Sequence, residues 1–262
     1  MNSFHQLKLF PLIFLQLFIM DASAQLSPIT SGVFHWADLT VKKEAERETR
    51  KIAEGITAEF DYFEIHATTQ MKGASPRPSH TQKDIEELII IKEGKVKCAI
   101  GNKISVLGAG SVILIPPLEP QAFENVGDGP LTYYVLMFRS RKPMNIERSN
   151  KAGGALLLDA DTITYTEKND RGTKKYFDRP TAMCENYEMH VSYMKHKGPS
   201  HAAHQHMDTE IILVIDGEMS MTIEGKDYKG SAGDLFIAES GKMHQVFNAS
   251  DKPCSYFAFK WR

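Results

Sequence analysis

The ten residues HAAHQHMDTE, His201 to Glu210, hold three histidines and a glutamate. Each buried imidazole needs a partner for both ring nitrogens, so three this close together are costly for an ordinary core. A metal ion is the partner that would satisfy them. Side chains two apart on a strand share a face, so His204 and His206 point the same way, and a nearby turn can bring Glu210 to the same centre. His244 comes from a separate strand. Three neutral imidazoles and one carboxylate around a divalent ion leave a net charge near +1, and six-coordination leaves two places open for water or substrate. His201, on the loop before them, reads as a mouth or surface residue within reach of proton transfer rather than as a fifth ligand.

The elements that must carry these residues come in two copies. FEIHATTQMKG recurs as YEMHVSYMKHKG, and EGKVKCAIGNKISVLGAGSVILIPP recurs as DGEMSMTIEGKDYKGSAGDLFIAES. Glu87, Gly94, Gly110 and Asn125 reappear 123 residues on as Glu210, Gly217, Gly233 and Asn248. The chain is therefore two versions of one unit. Within each, short apolar or alternating runs such as EELIIIKEG, KVKCAIGN, EIILVIDG and DLFIAES are separated by glycine-bearing turns, which predicts an all-β barrel or jelly roll. KKEAERETRKIAEG, Lys42 to Gly55, has helical propensity, but its counterpart TEKNDRGTKKYFDR does not. Two copies of one unit should share a fold, so both are expected to be strand, turn and strand.

In the second copy, His204, His206 and Glu210 are followed by Gly217, then by Gly233, Glu239, Gly241, His244 and Asn248. These paired motifs resemble the cupin superfamily, small double-stranded β-helix (jelly-roll) barrels that hold a metal through three His and one Glu. The resemblance covers the whole chain after its first residues, as a two-barrel bicupin. It implies His204, His206, Glu210 and His244 as ligands, and Fe(II), Mn(II), Ni(II), Cu(II) or Zn(II) as the metal. One departure is visible. Glu239 stands where the second motif usually has Pro, and this places a spare carboxylate near the barrel mouth.

The first copy differs in its chemistry. Its equivalents are His80, Gln82, Glu87 and Gln121, and amides are weak ligands for a transition metal. This barrel is expected to be kept for packing, with a poorly held metal or a directly bound small polar ligand as the alternative. Glu64-x-His66 and Glu188-x-His190 precede the two metal loops and offer either acid/base groups or structural hydrogen bonds. Glu210, His190 and Glu239 are thus the candidate acid/base residues. Strand alternation puts Ile212, Val214 and Val246 on the ligands' inward face as an apolar pocket wall.

Composition sets the remaining bounds. The formal charge is −2 over 262 residues, and no basic run stands clear of acidic neighbours, which argues against nucleic acid or anionic lipid as partner. Residues 1–24, with Lys8, the apolar run LFPLIFLQLFIM and Ala22-x-Ala24, read as a signal peptide cleaved before Gln25, giving a periplasmic or secreted protein with no membrane anchor after cleavage. The expected division is 25–143 for the first barrel, 144–154 for a linker and 155–262 for the second. The barrels can pair within one chain or across a homodimer. Cys98, Cys184 and Cys254 lie in apolar runs as buried free thiols rather than as a disulfide framework.

A metal with two open positions can chelate an enediol or hydroxy-ketone and either pass electrons to O2 or act as a Lewis acid. The first option resembles bicupin dioxygenases of the quercetinase kind, in which the glutamate ligand doubles as base. The second resembles cupin isomerases, decarboxylases and hydrolases of sugar acids. Ureidoglycine aminohydrolases match in length and layout, but their motif has Glu before the histidines and Gln later, the opposite of the order here. A non-catalytic periplasmic binding module is the third class. The leading expectation is a dioxygenase-like oxidoreductase acting on a small hydroxylated molecule.

Overall fold

The apolar runs become strands whose two faces have different neighbours. In Glu86–Glu93 the first six residues are buried, with Leu88 and Ile90 in one cluster and Ile89 and Ile91 in another. Thr209–Asp216 behaves alike, with Ile211 and Leu213 on one side and Ile212 and Val214 on the other. Both runs lack polar alternation because one face fills a barrel and the opposite face packs against the second barrel. The same period of two turns Glu87 and Glu210 into their barrels and leaves Glu86 and Thr209 between them.

The computed structural model describes residues 25–262, and the expected signal peptide, residues 1–24, lies outside the described residues. Each half folds as a seven-stranded antiparallel sheet with a four-stranded sheet, the jelly-roll arrangement anticipated from the turn spacing. The second barrel's large sheet centres on Thr209–Asp216, flanked by Leu235–Ala238 and Cys254–Trp261, while its small sheet carries His244–Asn248 beside Glu218–Ile223. No described helix is long and apolar enough to cross a membrane.

Lys42 to Gly55 is strand, turn and strand: Val41–Lys43 pairs with Arg47–Gly55, as Tyr165–Lys168 pairs with Arg171–Arg179. Pairing with the next strand and burial of Ile52 and Ala53 override the helical propensity. In both copies this pairing carries a bulge, between Lys51 and Ala53 and between Lys175 and Phe177.

Two short strands leave their own halves. Gly32–Phe34 pairs with Leu235–Ala238 of the second barrel, and Leu156–Leu158 pairs with Val112–Ile115 of the first. Each barrel's large sheet is thus completed by a strand drawn from across the linear division. Between the barrels, Phe60 stacks on Phe138 and on Trp261, with centroids 4.9 and 5.2 Å apart. The two barrels pack within one chain on this aromatic core. All three cysteines are buried and free.

Candidate metal centre

His204 and His244 face each other across an isolated antiparallel bridge, each backbone N–H donating to the other's carbonyl at 3.1 and 2.8 Å. The chain then turns through His206 into the strand that begins at Thr209, which brings Glu210 inward. Gly217, at φ 83°, closes that strand in a turn where a Cβ would lie 2.6 Å from the Pro253 carbonyl oxygen, so the motif glycine is required there. One ligating atom from each of His204, His206, Glu210 and His244 lies within 4.8 Å of the others. Among the described residues these four form the convergent group of this kind.

The protonation pattern shows what the group lacks. Nδ1 of His206 lies 3.0 Å from the Asp208 carbonyl oxygen, and Nδ1 of His244 lies 2.8 Å from that of Lys242. A carbonyl only accepts, so both Nδ1 atoms carry the proton and the neutral rings present bare lone pairs at Nε2. Those Nε2 atoms sit 2.8 and 3.3 Å from Oε2 of Glu210, itself an acceptor. Lone pairs facing a carboxylate at this range need a cation between them, either extra protons or a metal ion. Nδ1 of His204 is buried with no hydrogen-bond partner, a further orphan in the same group. The donor set therefore fits a divalent transition metal.

The electrostatics agree. Burial pushes the Glu210 carboxyl up, but the hydrogen bonds with His206 and His244 outweigh it and hold the group well below the usual carboxylate range. Burial lowers His244, yet the Glu210 carboxylate carries it above its ordinary value. Burial, with neighbouring His201 and His244, lowers His204.

Beside the cluster lies a cavity of about 330 Å³ lined by His190, Ser192, His201, His204, Glu210, Tyr256 and Lys260, among others. His190 is thus brought to the site, with its Nδ1 3.3 Å from Glu188, whose other oxygen lies 3.6 Å from Lys260. Glu239 is not. Its Oε2 accepts from the Ser31 backbone N–H and hydroxyl, both at 2.8 Å, and it lines a different cavity, so the expected spare carboxylate at the mouth is corrected to an anchor for the N-terminal arm. The expected apolar wall is also corrected. Ile212, Val214 and Val246 share the inward face and pack into the barrel core without reaching the cavity, which is lined instead by Tyr256 and Ala258 of the same core cluster and by Lys260. Alternation along CSYFAFKW held the signal for Tyr256 and Lys260, which sit in step with the buried Cys254.

In the first barrel His80, Gln82, Glu87 and Gln121 line one cavity of about 150 Å³ with His66. Gln82 donates to Glu87 at 2.9 Å, and His80 is exposed. His66 is held by Glu64, Nδ1 to Oε1 2.8 Å, as His190 is by Glu188.

The cupin domain family matches the chain twice, over residues 66–137 and 190–260, once in each barrel. The chain belongs to the cupin family. Solved structures give the same two-barrel layout for this bicupin. It is similar to AerE from Microcystis aeruginosa (TM-score 0.67, 12% identity, covering 88% of this chain and 99% of that one). Protein Ylba from E. coli gives a TM-score of 0.68 at 11% identity over 92% and 95% of the two chains. An oxalate decarboxylase from Bacillus subtilis gives 0.66 at 13% over 88% and 77%. At these identities the likeness concerns fold alone. No curated protein matches the sequence. Family and donor set together make this chain a bicupin with a divalent transition-metal site in its C-terminal barrel.

Proposed function

We propose that the C-terminal barrel is a metal-dependent, dioxygenase-like oxidoreductase acting on a small hydroxylated organic molecule. The observation that carries this reading is that three imidazoles and a carboxylate converge beside a cavity of about 330 Å³ whose walls include Arg171 and Lys260. When bound, the metal supplies a Lewis-acidic centre and, if it is Fe, Mn, Ni or Cu, a route for electrons to O2. Both atoms of O2 entering the product balance such a reaction without an external reductant. The protein's own part is positioning and proton handling. Lys260 and Arg171 on the cavity wall favour a substrate that is anionic or becomes so, such as an enediolate. In this reading His190, beside Glu188, takes the hydroxyl proton; His190 and, less strongly, Lys260 hold the Glu188 carboxyl below its ordinary range against the opposing effect of burial.

The same two cations favour a second reading. A carboxylate suits Lys260 and Arg171, so redox-neutral isomerisation, decarboxylation or hydrolysis of a sugar-acid-like substrate is the alternative. The similarity to an oxalate decarboxylase belongs with it.

The first measurement is metal content by plasma mass spectrometry on the protein and on its His204→Ala/His244→Ala variant, followed by oxygen uptake over enediols, flavonoids and hydroxy acids. About one Fe, Mn, Ni or Cu per chain, lost in the variant, with substrate-dependent oxygen uptake, is the expected result. Turnover without oxygen uptake selects the redox-neutral reading. Binding without turnover leaves a periplasmic binding module. Export is part of the proposal, and N-terminal sequencing of the mature protein should begin at Gln25.

A further inference from the structure

The first barrel has amides, Gln82 and Gln121, in place of two of the three imidazoles of a metal centre, but has not been filled. Its cavity of about 150 Å³ has room for roughly five waters. Gln121, paired in register with His80 across the small sheet, is 0% exposed, and neither its Oε1 nor its Nε2 makes a hydrogen bond of sound geometry. Gln70, 3% exposed on the opposing strand, spends its Nε2 on the Tyr133 hydroxyl at 3.1 Å and leaves Oε1 unpartnered. Glu87 accepts from Gln82 through Oε1 at 2.9 Å, with the Gln121 amide nearby. Buried polar groups in folded proteins are almost always hydrogen-bonded, so three unpartnered amide atoms around one cavity point to something that pairs with them.

We propose that the N-terminal barrel binds, without a metal, one small neutral polyol-like molecule, held by Gln121, Gln70, Glu87 and Tyr133. The polarity selects the class. A cation would leave the Gln121 amide hydrogens unmet. Arg77 and His80 line the cavity too, but both are exposed at its rim and Arg77 pairs with Glu44 at 3.6 Å, while deeper in, an anion would face Glu87 and the Gln70 carbonyl. A hydroxyl both donates and accepts, as this mixed set requires. Phe123, Ile89 and Val135 supply apolar wall for the carbon backbone of such a molecule, and the cavity suits roughly three or four carbons. Burial holds the Glu87 carboxyl above its ordinary range despite Gln82, the nearby Gln121 amide and the imidazoles of His80 and His66. This proposal is independent of the reaction assigned to the second barrel.

The test is calorimetry and ligand-observed NMR with glycerol and erythritol on the metal-loaded full chain, on Gln121→Leu, on Tyr133→Phe and on His204→Ala/His244→Ala. Binding in the millimolar range is expected, weakened about tenfold or more in Gln121→Leu and in Tyr133→Phe and unchanged in the double histidine variant. Should Gln121→Leu fail to fold, Tyr133→Phe, which keeps the ring, carries the comparison. Three results would overturn the proposal: no binding of either polyol, binding untouched by the barrel variants, or binding lost in the double histidine variant. The first would leave the cavity to ordered water, and the last would move the ligand to the other barrel.

Discussion

At the metal centre the nitrogen turned away from the metal matters as much as the one facing it. The Asp208 and Lys242 carbonyls hold the Nδ1 protons of His206 and His244, so each ring arrives with its Nε2 lone pair already aimed. Glu210→Gln and His244→Ala should each cut bound metal from about one per chain to a small fraction, read by plasma mass spectrometry after dialysis. Protons compete with the metal for these atoms. Because Glu210 raises the His244 pKa, metal retention should be full at about pH 8 and fall as the pH is lowered from there into the acid range, the direction expected when ligands must be deprotonated. Retention that is flat across this range would argue against histidine ligation. Glu239 gives the contrasting case. If it anchors Ser31, Glu239→Ala should cost about 1–3 kcal/mol of stability in urea denaturation and leave metal content unchanged. Loss of metal in that variant would return Glu239 to the site.

At the scale of the elements, the strand Glu86–Glu93 carries two adjacent glutamates with separate roles, because consecutive side chains point to opposite faces. Glu87 looks into its barrel, while Glu86, fully buried, accepts from the Thr181 hydroxyl and the Met183 N–H of the chain entering the second barrel, both at 2.8 Å. Burial raises its carboxyl to about 7, above those hydrogen bonds' lowering effect. From pH 4.5 to about 7 the folded state therefore holds a proton that the unfolded state has released, and stability falls as pH rises through that window. Glu86→Gln keeps an acceptor for both donors and removes the titration. Its stability gain over the parent should be near zero at pH 4.5 and grow to about 3 kcal/mol by pH 8, measured by urea denaturation at both. A gain that does not grow with pH would show that Glu86 does not titrate in this window.

For the whole molecule, the decisive feature is that neither barrel closes alone. Gly32–Phe34 and Leu156–Leu158 are exchanged between sheets, and Phe60, Phe63, Phe138 and Trp261 form one aromatic core across the junction. The Glu59 carboxylate of the first half accepts from Thr209 and from the Trp261 indole, at 3.0 and 3.2 Å, as Glu86 accepts from Thr181 on the other side of the pseudo-symmetry. The chain should unfold in one transition, with curves from tryptophan fluorescence and far-ultraviolet circular dichroism coinciding. Both tryptophans report this junction: Trp261 stacks on Phe60 of the first half, and Trp36 sits against Gly233 of the second, with its backbone N–H donating to Asp234 at 2.8 Å. Removing the metal should lower that single midpoint rather than split it. Trp261→Ala should cost about 3–5 kcal/mol. Two separated transitions would show that the shared core does not couple the barrels.

The sequence by itself determined what depends on residue type and period. The repeat at a spacing of 123, the glycine turns, and the grouping of His204, His206 and Glu210 with a distant His244 were all readable, because strand alternation and turn chemistry are local. The strand reading of Lys42 to Gly55 came from comparing the copies, since propensity alone pointed the other way. What only tertiary structure decided is what depends on which surfaces meet. Glu239 is an anchor because a segment 208 residues away lies beside it. The pocket wall is Tyr256 and Lys260 rather than Ile212 and Val246, although Tyr256 stands directly opposite Val214 in register, so which of two paired inward strands meets the cavity was set by tertiary packing and not by alternation. The strand exchange has no sequence signal, since a three-residue strand pairs with whichever open edge the packing of the barrels presents to it.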